Sequence, residues 1–267
     1  MKMKLLIITF LFLEFNIYSQ AIFEEHGERE YSDELNKELL SKVCENLKIK
    51  YSNIYLYKSS STNYNSETTF FVIRYITNKY DDGNEYYTKY LFVNNSNGKI
   101  IDHINDENLK FMDNEAGQPS KTYIFKNKIV LNNQNKAIGL MTEYSVGGCV
   151  FLYSEQKFSI ITLSENKLKK ILYEYPIRKT QGESNCSGSH EIEILETSII
   201  ISKGKTNGLS DLLVTKKFIY EDVIEGDLEK NINSKNLVKN KMEKEKLQFN
   251  GMIYDFKKDD SYRFLKF

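Results

Sequence analysis

From Asn53 to Glu221 apolar and polar residues alternate with a period of two, and this constrains the fold more than any other feature of the chain. TTFFVIRYIT (68–77), YYTKYLFVNN (86–95) and EIEILETSIIIS (191–202) show the pattern most clearly. Such alternation sends successive side chains to opposite faces of a pleated strand. NIYLYKS (53–59), KIIDHI (99–104) and KTYIFKNKIVL (121–131) continue it, as do CVFLYSE, KFSIITLS, LKKILYEYP and DLLVTKKFIYE between residues 149 and 221. Asp82-Gly83, Asn97-Gly98 and Asn207-Gly208 supply the chemistry of tight hairpin turns. Many short strands with few helical interruptions predict a mainly β fold, an antiparallel meander or sandwich-like sheet. The similar hairpins YLFVNNSNGKIIDHI and SIITLSENKLKKILYEY leave a small or incomplete β-propeller as the alternative.

Two regions depart from this period. Over residues 32–50, Leu35, Leu39, Leu40, Val43 and Leu47 recur at helical spacing. Ser32 stands at the start as a candidate cap, and Lys48 and Lys50 stand at the end. One N-terminal amphipathic helix is predicted there. Residues 222–247 are rich in charge and asparagine and read as a solvated excursion, with a short helix around Ser234–Lys244. KLQFNGMIYDF then predicts a hairpin across Asn250-Gly251, and YRFLKF a last strand.

The first residues read as a leader. Lys2 and Lys4 precede an apolar run from Leu5 to Leu13, shorter than the ~20 residues needed to span a bilayer. A signal peptide over 1–19 is predicted, with cleavage between Ser19 and Gln20 and one β-rich domain over 20–267. The expectation is therefore an exported protein, periplasmic or extracellular, with no transmembrane segment after cleavage.

Composition narrows function by exclusion. The 37 basic residues balance 37 acidic ones, and only Arg29, Arg74, Arg178 and Arg263 are arginine. Recognition of phosphates and base edges favours the guanidinium fork, so a nucleic-acid partner is not expected. The 19 tyrosines and 16 phenylalanines provide for a large core and for aromatic strand faces.

The polar clusters decide whether the chain reads as an enzyme. GESNCSGSHE (182–191) holds Ser184, Cys186 and His190, but a nucleophile elbow needs Gly-x-Ser-x-Gly before a helix. Here Cys186 takes the last glycine's place and a strand follows. In an exported chain Cys186 has a different use. Cys149 and Cys186 both border glycine-containing polar loops, whereas Cys44 belongs to the helix, so the sequence points to a Cys149–Cys186 disulfide or else to free thiols. A geometric obstacle accompanies the pairing: three simple strands over 149–176 would leave the two cysteines at opposite ends of the sheet. His103 lies among Asp102, Asp106 and Glu107, which reads as the polar end of a strand and the turn after it. YDDGNEYY (80–87) lacks the spacing of a helical-hand calcium loop. Asn207, Gly208, Asp211 and Leu212 resemble the calcium-binding blade turn of integrin-type propellers, but Lys205 replaces its first aspartate. Glu191 and Glu193 alternate with Ile192 and Ile194 as on a solvent-facing sheet surface.

No catalytic, metal or cofactor site is predicted. The reading is a non-enzymatic envelope or extracellular binding protein with a protein or glycan partner. The alternatives are a secreted hydrolase using carboxylates around Asp81–Glu85 or Asp102–Glu107, and an inhibitor or immunity-type partner protein.

Overall fold

The computed structural model describes residues 21–23, 30–32, 34–112, 119–132, 136–146, 148–226, 234–259 and 261–265. The expected leader over 1–19, its expected cleavage site at Ser19 and Gln20, and the side chain of Glu107 lie outside the described residues. The chain forms β1 (Ala21–Phe23), β2 (Tyr31–Ser32), α1 (Lys37–Leu47), β3 (Ser60–Asn63), β4 (Thr68–Tyr80), β5 (Gly83–Asn94) and β6 (Ile100–Met112). It continues through β7 (Pro119–Phe125), β8 (Ile129–Val130), β9 (Lys136–Val146), β10 (Phe151–Ser164), β11 (Lys167–Ser184), β12 (His190–Thr206), β13 (Leu209–Ile224) and β14 (Lys235–Leu247).

All described pairings are antiparallel, and the fold is mainly β as expected. A small sheet runs β3-β4-β5-β6. A large one runs β14-β13-β12-β11-β10-β9-β7-β2, with β1 on β12 and β8 on β9. The strands are long and shared between two sheets, so the propeller's separate radial blades are not what the sequence builds. Among the described residues no helix is long and apolar enough to cross a membrane.

Both faces of the small sheet are covered. Phe71, Ile73, Leu91 and Val93 meet Leu39, Leu40, Val43 and Cys44 of α1. Phe70, Val72, Tyr90 and Phe92 meet Ile124, Ile138, Leu140 and Ile161 of the large sheet. A strand buried on both faces reads as a continuous apolar run, which is why TTFFVIRYIT contains Phe70 and Phe71 side by side. Gly98, at φ +68°, closes the β5–β6 turn against the helix; a Cβ there would lie 2.6 Å from Lys42 Cβ.

A third core forms inside the large sheet. β11 pairs with β12 only from Arg178↔Glu196 to Ser184↔His190. Beyond that point the strands part, and Ile171, Leu172 and Tyr175 of β11 face Ile199 and Ile201 of β12 across a shared apolar cluster. Phe23 of β1 fills it, edge-on to Phe125 and Phe158 at 5.3 and 4.8 Å. Proline cannot donate to a ladder and is tolerated at bulges. Pro176 sits next to a register shift, just beyond the last β11–β12 pair, so the strand passes through the residue at which the sequence reading ended it.

Several expectations are corrected. The helix begins at Lys37, capped by Asn36 Oδ1, which accepts from Leu39 N at 3.0 Å; Ser32 instead lies in β2 and donates to Ser61 O. Residues 53–59 are not a strand, because 3-10 turns over Tyr51–Asn53 and Leu56–Lys58 wind the segment around a single bridge, Ile54↔Tyr75. The predicted excursion at 222–247 ends in strand, not helix: β14 pairs with β13 from Ile224↔Lys235 to Leu212↔Leu247. Both faces of β14 are largely exposed, so its residues carry little apolar alternation for a sequence reading to find. Residues 261–265 form no strand.

Candidate functional site

The geometry separates the polar clusters that the sequence places together. β10 and β11 form one long hairpin, where the sequence reading expected three strands, so Cys149 and Cys186 return to the same end. They are joined in a disulfide with Cα atoms 5.2 Å apart. Ser184 Oγ donates to Ser189 O at 3.2 Å and accepts from Cys186 N at 3.1 Å, which ties the loop together. His190 Nδ1 lies 3.1 Å from Gly188 O and Nε2 3.6 Å from Glu221. Ser184 and His190 are opposite each other in the ladder, but their polar atoms are engaged elsewhere.

Asp81 and Asp82 form the exposed β4–β5 turn. Glu85 is buried and accepts from Thr77 Oγ1 at 3.0 Å, and Lys110 lies 2.8 Å away. The Lys110 hydrogen bond in particular holds its carboxyl below the usual range. Glu193 corrects the solvent-face reading. It is 4% exposed and accepts from the backbone N–H groups of Arg263, Phe264 and Leu265 at 2.7–3.0 Å. Asp211 is likewise buried and pairs with Lys246 at 2.6 Å, so a lysine stands where the calcium-turn resemblance would put a cation.

The segment Asp102–Asp106 divides between the faces of β6. Alternation places His103 and Asn105 on the α1 side; burial, and then the Lys89 ammonium, push the His103 imidazole below its ordinary pKa. Asp102 and Asp106 face the large sheet. Asp102 Oδ2 accepts from Leu168 N at 2.8 Å. Asp106, expected in a solvated turn, is 5% exposed because β6 continues to Met112. Its Oδ2 accepts from Tyr90 Oη at 2.6 Å and from Lys170 Nζ at 2.8 Å. Glu174 Oε1 lies 4.0 Å from the same ammonium. Burial, then the Asp106 carboxylate, push the Tyr90 phenol well above its ordinary value, so it stays a donor. Arg74, fully buried nearby, is pulled down to about 10 by desolvation.

This pair forms part of the wall of a cleft of about 1000 Å3 between β6, the β10–β11 hairpin and the turns at 207–208 and 249–253. Tyr173, Phe249 and Met252 give it aromatic and apolar surface, and Asn132 and Asn207 give it amides. Asn207 Nδ2 donates to Phe249 O at 2.8 Å and Asn132 Nδ2 to Gly208 O at 2.9 Å, which hold the two turns beside each other. Of these residues the sequence reading singled out Asp106, Asn207 and Gly208. Lys170, Tyr173 and Met252 carry no local signal, because they converge only through the fold. No protein-family model matches the chain, and it has no match among curated proteins or solved structures.

Proposed function

We propose that this is an exported, non-enzymatic binding protein that takes its ligand in the cleft between β6 and the β10–β11 hairpin. One observation carries the reading. The cleft combines exposed apolar surface, Tyr173 at 43% and Met252 at 76%, with amides, while its buried charges Asp106 and Lys170 are spent on each other and on Tyr90. Concave sites with an apolar lining and a few fixed polar groups are the usual form of a ligand pocket. The Cys149–Cys186 disulfide supports export, since such bonds persist in oxidising compartments.

A carboxylate-based hydrolase is the second reading. Glu155 and Glu174 line a common cavity of about 310 Å3, and Glu174 Oε1 is buried without a hydrogen-bond partner. The two readings separate in one set of measurements. NMR titration with neutral oligosaccharides and short peptides is expected to shift amides around Asn105, Tyr173 and Met252, and Tyr173→Ala to weaken the response. Ester, glycoside and peptide substrates are expected to be left intact. Turnover that disappears in folded Glu174→Gln or Asp106→Asn protein would overturn the binding-only reading.

A further inference from the structure

Among the described residues, the cleft and the smaller cavity mix charges. The cleft holds Asp106 with Lys169 and Lys170, and the smaller cavity holds Glu155, Glu174 and Asp259 with Lys157, Lys179 and Lys258. A shallow trough of about 630 Å3 at the end of α1 is different: Lys48, Lys50 and Lys79 line it with Asn53, Tyr75 and Thr77, and no carboxylate does. The chain as a whole has as many acidic as basic residues, so this exclusion is local and not compositional.

Among the described residues none of the three lysines forms an ion pair, whereas Lys110, Lys157, Lys170, Lys216 and Lys246 each meet a carboxylate. Lys48 and Lys50 also answer the negative end of the helix dipole. That end is partly satisfied already, because the Lys48 N–H donates to Cys44 O and Glu45 O. Lys79 comes from β4 and owes nothing to the helix. Three ammonium groups around one hollow repel each other, and an anion between them removes that cost.

We propose that this trough binds an acidic saccharide, a sugar carrying sulfate, phosphate or carboxylate groups. The lysines meet the charged substituents. Asn53 offers a hydrogen bond to a ring hydroxyl, Thr77 Oγ1, which donates to Glu85, is left to accept one, and the part of Tyr75 that lines the hollow gives the ring apolar surface. The site stands apart from the cleft between the sheets and does not depend on it.

The test is calorimetric titration of the full chain with a heparin-derived tetrasaccharide, at low ionic strength because exposed charges are screened by salt. An uncharged oligosaccharide of equal length, single-stranded oligothymidylate and phosphatidylglycerol vesicles are titrated alongside. The expected result is binding of the sulfated sugar that falls at least about tenfold in the Lys48→Gln/Lys50→Gln/Lys79→Gln variant. It remains unchanged in a Lys205→Gln/Lys244→Gln control, and both variants keep the parent melting temperature. Absence of binding, equal loss in the control, or equally tight, equally lysine-dependent binding of the DNA or the vesicles would each overturn the proposal.

Discussion

At the scale of single residues, Arg263 shows how one side chain ties down a terminus that forms no strand. Its Nε and Nη2 donate to the two oxygens of Glu243 at 2.7 and 2.9 Å, Nη2 also reaches Asp259 at 2.6 Å, and the guanidinium lies 4.4 Å from the centre of the Phe218 ring. Only arginine offers this planar set of donors. The segment it holds places its backbone N–H groups on Glu193, which explains why a glutamate on an apparently ordinary strand is buried. The Arg263 hydrogen bond, more than any other contact, draws the Glu243 carboxyl from 4.5 to about 2 and also lowers Asp259. A carboxyl held lower in the folded state stabilises fully above its ordinary value, and the benefit disappears as pH falls toward the folded value. Arg263→Ala is therefore expected to cost about 1–2 kcal/mol at neutral pH. It should also flatten the loss of stability between pH 4.5 and about 2, as followed by denaturant titration across that range. An acid-unfolding profile identical to that of the parent would contradict this account.

At the scale of elements, β14 is the most instructive segment. It is an edge strand of the large sheet, and an unprotected edge offers its free backbone groups to other chains. Lys239, Lys241, Lys244 and Lys246 spread charge along it, and both faces stay largely in water. The same lysines hide the strand from a reading based on apolar alternation, because what specifies β14 is its ladder with β13 and not a buried face. Replacing Lys239 and Lys241 with valine is expected to leave the monomer's fold intact while promoting association, visible as concentration-dependent light scattering. Helix α1 is the opposite case. Leu39, Leu40 and Val43 repeat at helical spacing and are the residues buried on the small sheet. Both boundaries differ from the expected 32–50: Asn36 caps the helix in place of Ser32, and the helix ends at Leu47 with Lys48 as its cap.

At the scale of the whole molecule, the two sheets are joined by apolar contact, by hydrogen bonds such as that from Leu168 N to Asp102, and by a buried ionic seam. Lys170 of the large sheet reaches Asp106 of the small one, and both side chains are at most 5% exposed. Removing one partner leaves the other charged and out of water, whereas replacing both with apolar groups avoids that penalty. Asp106→Leu alone and Lys170→Met alone are each expected to cost about 3–5 kcal/mol, and the two together appreciably less than their sum, as a double-mutant cycle of unfolding free energies reports. A double change that costs the sum of the two single changes would mean that the seam contributes nothing as a pair.

Period-two alternation, Asx-Gly turns and one apolar helical stripe were enough to specify a mainly antiparallel β protein with an N-terminal helix, because local geometry and burial set those periods. Which strands merge into one long hairpin, which sheet each joins, and where β11 and β12 part were decided by packing between residues far apart in the chain. The disulfide illustrates the division: the sequence supplied two cysteines beside polar loops, and only the continuous β10–β11 hairpin brought them to the same end. The cleft and the lysine trough belong wholly to tertiary structure. Lys170 with Asp106, and Lys48 with Lys79, become neighbours only when the sheets and the helix are assembled, and no local pattern records a distance between elements.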